Sequence, residues 1–299
     1  MIAIVGAGAI GQMWAYKLGA DNCVFLDTRP NGTSKTINIT VQDQQVTNEL
    51  TVRQHNLQTL KETKLYIEAV LICTKSHAAC STAHALDTNL LKAIPFVLFQ
   101  NGMGSQHEIV EGIQHRPIYA ASTTSGANIE KPNRLVLAGE GTTHCGPLNK
   151  HASQHDDWPS SLAKISSHAD YKHNIKSTLQ RKLLINCGIN AFTAIENCSN
   201  GQIRSTQSFQ QYWPSLIDEL SGLSNIYKLE LTKTNIVEMI LSVCETTAAN
   251  ISSTLQDVRQ GKKTEINDIN GFAAKQLIAS GLSATTNTML TERVNALRN

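Results

Sequence analysis

The sequence predicts an α/β fold in which a domain built on a mostly parallel sheet is followed by an all-α domain. Three observations carry this expectation. Up to about residue 100, short and nearly continuous apolar runs alternate with stretches of helical periodicity, as strands covered on both faces by helices do. The first apolar run leads straight into a cluster of glycines. Beyond about residue 173, every periodic segment repeats at helical spacing.

Taken in order, MIAIV reads as a strand, and an amphipathic helix follows over residues 9–18, ended near Gly19. CVFLDTRP reads as a second strand stopped by Pro30. Residues 33–53 alternate Ile37, Ile39 and Val41 with polar positions, which predicts paired strands. LYIEAVLICTK is a further strand ending at Thr74-Lys75, residues 76–93 read as helix, and IPFVLFQNGMG ends at Asn101-Gly102. Residues 118–147 are rich in Thr, Ser and Gly, and are expected to add antiparallel strands at the sheet edge; HASQHDDWPS is expected to be a loop. The helical segments are 175–194, 207–229, 235–258 and 264–280. Pro214 is expected in a first helical turn, Gly261 after a helix end, and Thr264 as the cap of the next helix.

Composition removes several function classes. A formal net charge of +2, with no run of Lys and Arg that tracks a phosphate backbone, argues against a nucleic-acid partner. No stretch of about 18 apolar residues predicts a membrane span, and the first residues lack the basic flank of a signal peptide. Seven cysteines without a CxxC pair are expected to be reduced thiols in a cytoplasmic protein. His77 with His84, and His151 with His155, lack Cys or acidic neighbours at ligand spacing, so no metal is expected. All ten histidines lie between His55 and His173, so a general acid supplied by the C-terminal half is not histidine.

The glycine cluster is Gly6-Ala7-Gly8-Ala9-Ile10-Gly11, a GxGxxG string that follows a strand and opens a helix. In that context Gly6 permits the tight turn, Gly8 lets backbone approach a pyrophosphate, and Gly11 lets helix and strand pack closely. The helix N-terminus then offers free N–H groups to the phosphates. A Rossmann-type, dinucleotide-binding domain is therefore expected over residues 1–173, with a helical substrate and catalytic domain over 174–299. At the end of the second strand Asp27 stands where a carboxylate would bind the ribose hydroxyls of NAD, while Arg29 suits a 2′-phosphate. The two signals conflict, and both residues also read as ordinary charges after a strand. Lys75 and Asn101 end presumed central strands, the edge where ligands bind in open α/β sheets; a solvated lysine and a turn asparagine are the alternatives.

RKLLINCGIN carries a second signal. Lys182, Asn186 and Asn190 recur every four residues, within about 80° of arc on an otherwise apolar helix. Delivering a hydride to a carbonyl carbon calls for a proton at its oxygen, and a lysine on a partly desolvated helix face meets that need. A snorkelling lysine beside asparagines that tie helices together is the alternative. Asn250 and Ser253 are expected three residues apart on one helix, and Glu265 in the first turn of the next, where a carboxylate stays ionised and can accept a hydrogen bond from Lys182 or a substrate hydroxyl.

Together, GAGAIG, QNGMG, RKLLINCGIN, NCSNGQIR, NISSTLQDVR and TEINDINGF resemble, in order and separation, the ketopantoate reductase family, from Met1 to about Gly281. The resemblance implies NADPH-dependent reduction of 2-dehydropantoate (ketopantoate) to pantoate, on the route to pantothenate and coenzyme A. It implies Lys182 as the general acid and Glu265 as the group that orients it and the new hydroxyl. Asn186, Asn190 and Ser253 would hold the substrate, with Asn200 and Asn250 supporting them. Gly6, Ala7, Gly8, Ala9, Ile10, Gly11, Arg29, Lys75 and Asn101, with Glu265, would face the cofactor. Asp27 departs from the family and leaves NADH open. A reductase of another branched 2-oxo acid, or a non-catalytic sensor of NADP, are the rival readings. Monomer and homodimer are both compatible with the sequence.

Overall fold

The computed structural model describes residues 1–29, 31–88, 91–154 and 157–297. Pro30, expected to stop a strand, and His155 lie outside the described residues. The chain forms two compact units, one comprising Met1–Gln100 with Ser105–Lys176, the other Asn101–Gly104 with Ser177–Asn299.

In the first unit the strands are Ile2–Val5 (β1), Cys23–Asp27 (β2), Lys35–Asp43 (β3), Val46–Asn56 (β4), Ala69–Ile72 (β5), Phe96–Leu98 (β6), Ile118–Thr123 (β7), Gly126–Lys131 (β8), Arg134–Gly139 (β9), Thr143–Pro147 (β10) and Asp170–Tyr171 (β11). The helices are Ala9–Leu18 (α1), Leu57–Thr63 (α2), Ser76–Leu86 (α3), Gly104–Gly112 (α4) and Ala163–Ser166 (α5). Among the described residues these strands make one sheet in the order β11-β10-β7-β6-β5-β1-β2-β4-β3-β9-β8. The centre is parallel: β1 pairs with β2 and β5, β5 with β6, and β2 with β4. Strands β1, β5 and β6 are fully buried, as their unbroken apolar runs require of a sheet covered on both faces. The chain runs from β1 to β2 on one side and later to β5 on the other, so the strand order reverses beside β1, the place where such sheets bind ligands. Trp14 of α1 is fully buried and meets Phe99, ring centroids 5.2 Å apart, in the core of this unit.

Two expectations for this unit are corrected. The segment 118–147 is not simply an antiparallel edge: β7 continues the parallel core beside β6, β10 then pairs antiparallel with β7, and the β8–β9 hairpin joins the opposite edge through β3. Helix α3 ends at Leu86 rather than continuing to residue 93, because Asp87 turns back with its N–H on the His84 carbonyl.

In the second unit the helices are Ile175–Glu196 (α6), Gln207–Ile226 (α7), Lys233–Thr246 (α8), Ser253–Arg259 (α9), Asn270–Ala279 (α10) and Thr285–Ala296 (α11), with 3-10 turns at Asn200–Ser205 and Ile266–Asp268. α6 closes on Asn197 in the left-handed region (φ 50°), where an asparagine tolerates the conformation better than most residues. Gly261 (φ 63°) terminates α9 as expected: its own N–H reaches the Val258 carbonyl and that of Lys262 reaches Asp257, the paired bonds of a Schellman turn. The core joins Leu183, Leu184, Cys187 and Phe192 of α6 to Leu216 and Leu220 of α7, Ile240 of α8 and Leu290 of α11. Truncating a wholly buried residue such as Phe192 to alanine typically costs about 3–5 kcal/mol.

Pro214 stands inside α7, not in its first turn. Burial of Phe209, Leu216, Leu220 and Leu223 on the core side, with Trp213 stacked on Phe209 at 4.4 Å, outweighs the helix hydrogen bond that proline removes. The stretch 235–258 is two helices, not one. Between them the backbone is held by the Asn200–Ser205 turn: Gly201 N–H donates to the Ala248 carbonyl and Asn200 N–H to that of Asn250. Glu265 likewise is not in a helical first turn. It precedes a single 3-10 turn, and α10 begins five residues later, so the dipole of a long helix does not act on its carboxylate.

Candidate active site

The glycine loop shows the close packing its spacing implies. A Cβ on Gly11 would lie 1.9 Å from the Gly6 carbonyl oxygen, and one on Gly6 2.8 Å from backbone atoms of Cys73 and Thr74, so neither position has room for one. A Cβ on Gly8, in contrast, would meet nothing within 4 Å. Gly8 is the N-cap of α1 and has no side chain with which to cap it, so the first-turn N–H groups take no cap from a side chain there. That is the cradle a pyrophosphate requires, and the loop therefore fits a dinucleotide.

Three buried amides that the sequence does not single out support this loop and the neighbouring strand ends. Gln12 Nε2 donates to the Ala7 carbonyl at 3.0 Å. Gln100 Nε2 donates to the carbonyls of Ile72 and Thr74 at 2.7 and 3.0 Å, clamping the end of β5 just before Lys75. Gln106 Nε2 in turn holds the Gln100 carbonyl at 3.1 Å. Gln100 had one visible signal, a polar residue directly after a buried strand. Lys75 itself is half-buried and occupies the N-cap of α3.

Asp27 and Arg29 pair with each other. Arg29 Nε reaches Asp27 Oδ1 at 2.9 Å and Nη2 reaches Oδ2 at 2.6 Å, a bidentate fork. The guanidinium is largely exposed, 77%, whereas the carboxylate is 7% exposed. The side-chain bond from Arg29, aided by backbone N–H groups of Arg29 and Thr33, holds Asp27 below the usual carboxylate range.

In the helical unit Lys182, Asn186 and Asn190 lie on α6, the first two half-buried and the third buried. Burial lowers the Lys182 ammonium from 10.5 to about 8, and the charge of Glu265 opposes that fall. Lysine and carboxylate are thus close enough to feel one another, and Glu265 is itself only 5% exposed. Among the described residues the side-chain amides of Asn186 and Asn190 take no protein hydrogen bond, so the alternative in which they tie helices together is not what the structure displays. A buried chain supports α6 from another helix pair: Asn270 Nδ2 holds the Cys187 carbonyl at 3.2 Å and Asn287 Oδ1 at 2.9 Å, and Asn287 Nδ2 holds Glu219 at 2.8 Å.

Asn101 belongs to this same unit. Met103 N–H donates to the Asp268 carbonyl at 3.2 Å, and Asp268 N–H donates to that of Glu265 at 2.9 Å, so two backbone bonds lead from the QNGMG segment to the main chain of Glu265. Gly102 (φ 84°) lies so close that a Cβ would stand 2.2 Å from the Asp268 oxygen. Gly102→Ala is therefore expected to destabilise the protein by about 3 kcal/mol through left-handed backbone strain and overpacking. A urea midpoint like that of the wild type would contradict this.

Ser253 opens α9. Asn250 is exposed and outside the helix, so the two do not share a helix face as expected. Asn200 is buried, with Nδ2 on Thr247 Oγ1 at 2.9 Å, which makes it a brace for the 247–250 connection. Among the described residues no group of three His, Cys, Asp or Glu is arranged to hold a metal, and no helix is long and apolar enough to cross a membrane.

A dinucleotide cradle at the head of a parallel sheet, and in the helical unit a lysine whose pKa burial lowers within the field of a carboxylate, define the class as an oxidoreductase using a nicotinamide cofactor. Sequence comparison makes this specific. The family described as ketopantoate reductase PanE/ApbA matches residues 2–150, and its C-terminal domain matches residues 174–298. The chain belongs to the ketopantoate reductase family. It is 28% identical over 301 residues to the 2-dehydropantoate 2-reductase of Vibrio cholerae, covering 99% of this chain and 97% of that one. Its fold is similar to that of a PanE/ApbA family ketopantoate reductase from Ralstonia eutropha (TM-score 0.81, 21% identity, 100% and 98% of the chains). It is also similar to D-mandelate dehydrogenase solved with NADH and anilino(oxo)acetate (TM-score 0.83, 21% identity, 99% and 97% of the chains).

Proposed function

We propose that this chain reduces 2-dehydropantoate to (R)-pantoate with NADPH, in the cytoplasm, on the route to pantothenate and coenzyme A. The observation that carries the reading is Lys182, held at about 8 by burial on a helix stripe with two amides and within the field of Glu265. A sensor of dinucleotides has no use for such a group.

When bound, the cofactor supplies the hydride. Lys182 gives its Nζ proton to the oxygen of the keto group, and a lysine held near neutrality does so more readily than one at 10.5. Glu265 keeps a negative charge beside that nitrogen, opposing the loss of its proton by burial alone. Asn186, Asn190 and Ser253 hydrogen-bond the substrate hydroxyl and carboxylate, and Asn101 positions the reacting carbonyl. Asn200 and Asn250 act through the connection they brace. Gly6 to Gly11 carry the pyrophosphate, Arg29 meets the adenosine ribose or its 2′-phosphate, and Lys75 balances cofactor charge.

A second reading has a specific basis. The fold is shared with a D-mandelate dehydrogenase solved with NADH, and Asp27 is the acceptor that NADH would use. A panel of branched and aromatic 2-oxo acids, each run with NADPH and with NADH and followed by nicotinamide absorbance, separates the two. Highest kcat/KM with 2-dehydropantoate and NADPH is expected. A higher value with another 2-oxo acid moves the assignment to that substrate, and no turnover with any returns the sensor.

A further inference from the structure

The face of α6 that carries Lys182, Asn186 and Asn190 has to be set against Ser253, which belongs to another helix. The contact that sets it lies one turn beyond Asn190. Thr193 is wholly buried and Ser252 is 7% exposed. Their hydroxyl oxygens are 2.6 Å apart. Thr193 Oγ1 also lies 2.9 Å from the Asn190 carbonyl, and Ser252 Oγ accepts the Leu255 N–H at 3.1 Å as the N-cap of α9.

Proton counting orders this chain. Two hydroxyl protons serve two contacts, Ser252 with Thr193 and Thr193 with the Asn190 carbonyl. A carbonyl only accepts, so the Thr193 proton goes to Asn190. The Ser252 proton then goes to Thr193, and the Ser252 lone pairs remain for Leu255. Every hydroxyl proton is used, in a single sense that runs from the cap of α9 to the backbone of α6 at Asn190. Ser253 is the next residue after the cap.

Other ties between these segments lie farther from the stripe. Arg259 Nε holds Asn197 Oδ1 at 2.9 Å at the far end of α9, and Asn200 holds the connection before it. Among the described residues the Thr193–Ser252 pair is the side-chain tie nearest in sequence to both Asn190 and Ser253. We infer that Thr193 is a positioning residue, whose hydroxyl sets Ser253 in register with the Lys182–Asn186–Asn190 stripe and so tunes affinity for the 2-oxo acid. The inference deepens the proposed function and rests on its assignment of Ser253 and Asn190 to the substrate.

Thr193→Val keeps shape and removes the hydroxyl. An interaction made equally in ground and transition states appears in KM and not in kcat. Thr193→Val is expected to raise KM for the 2-oxo acid about tenfold, with kcat within about twofold and NADPH affinity unchanged, and Thr193→Ser is expected to restore KM. Ser252→Gly is the companion variant, since glycine is nearly as good an N-cap and only the link is lost. It should give the same KM rise even where Thr193→Val folds poorly. Unchanged KM in both variants, or a loss confined to cofactor affinity, overturns the positioning role while the wild-type turnover leaves the proposed function standing. Absence of wild-type turnover on every 2-oxo acid overturns the proposed function, and this role with it.

Discussion

Replacing Lys182 with alanine is expected to lower kcat about a thousandfold, the range that loss of a positioned general acid commonly produces. Cofactor affinity should stay close to that of the wild type, because the glycine loop and Arg29 are in the other compact unit. The two quantities separate cleanly, by turnover at saturating substrate and by fluorescence titration of the bound cofactor. The pH profile carries the same prediction further. The acid must hold its proton, so kcat should be level on the acid side and fall about tenfold per unit once pH passes the Lys182 value, which burial sets at about 8. Unfolding does not mimic this limb. With Lys182 depressed from 10.5 to about 8 in the folded chain, the unfolded chain binds the extra proton between those values. By linkage, this group makes stability rise with pH across that window, and its destabilising effect is complete only below about 8. A fall in kcat above 8 with undiminished thermal stability is therefore the signature of the lysine. Near-wild-type turnover of Lys182→Ala, or a profile flat through 10, would remove it from the mechanism.

How much of this was legible in the sequence follows from how local each signal is. The glycine loop and the α6 stripe were readable because each depends on one element: Gly11 must lack a Cβ against Gly6, five residues away, and Lys182, Asn186 and Asn190 share a face by helical repeat alone. Features set by partners distant in sequence were not readable. Residues 126–139 form a hairpin, but nothing in them says that it pairs with β3 on the far edge of the sheet. The helical pattern of 235–258 runs through a break whose cause is Gly201 and Asn200, about fifty residues earlier, which take up the backbone groups that a continuous helix would have used. The capping serine Ser252 was visible as a residue type, yet its second partner, Thr193, is 59 residues away. For Glu265 the position in a helical first turn was misread: it precedes a single 3-10 turn and is buried, and its charge acts on Lys182.

Replacing Arg29 with alanine is expected to lower the ratio of kcat/KM for NADPH over NADH about 10- to 100-fold, the worth of one or two hydrogen bonds to a charged group. The structure adds a second, opposite expectation. Arg29 is engaged by Asp27 through both oxygens, and the carboxylate is the more buried partner. A 2′-phosphate brought to this guanidinium meets an anion already in place, and Coulomb repulsion between them offsets part of the new attraction. The exposed guanidinium and surrounding water screen this repulsion without removing it. Asp27→Asn keeps the side-chain shape and one acceptor while deleting the charge. It should raise the NADPH to NADH ratio by about tenfold, with the gain shrinking at high salt, as an electrostatic origin requires. The pair thus makes a sharper test than either residue alone: opposite shifts from the two single variants identify Asp27 and Arg29 as one discriminating unit. Shifts of the same sign would mean that the fork only shapes the turn after β2, and selectivity for the phosphate would then have to reside in other residues around the adenosine ribose.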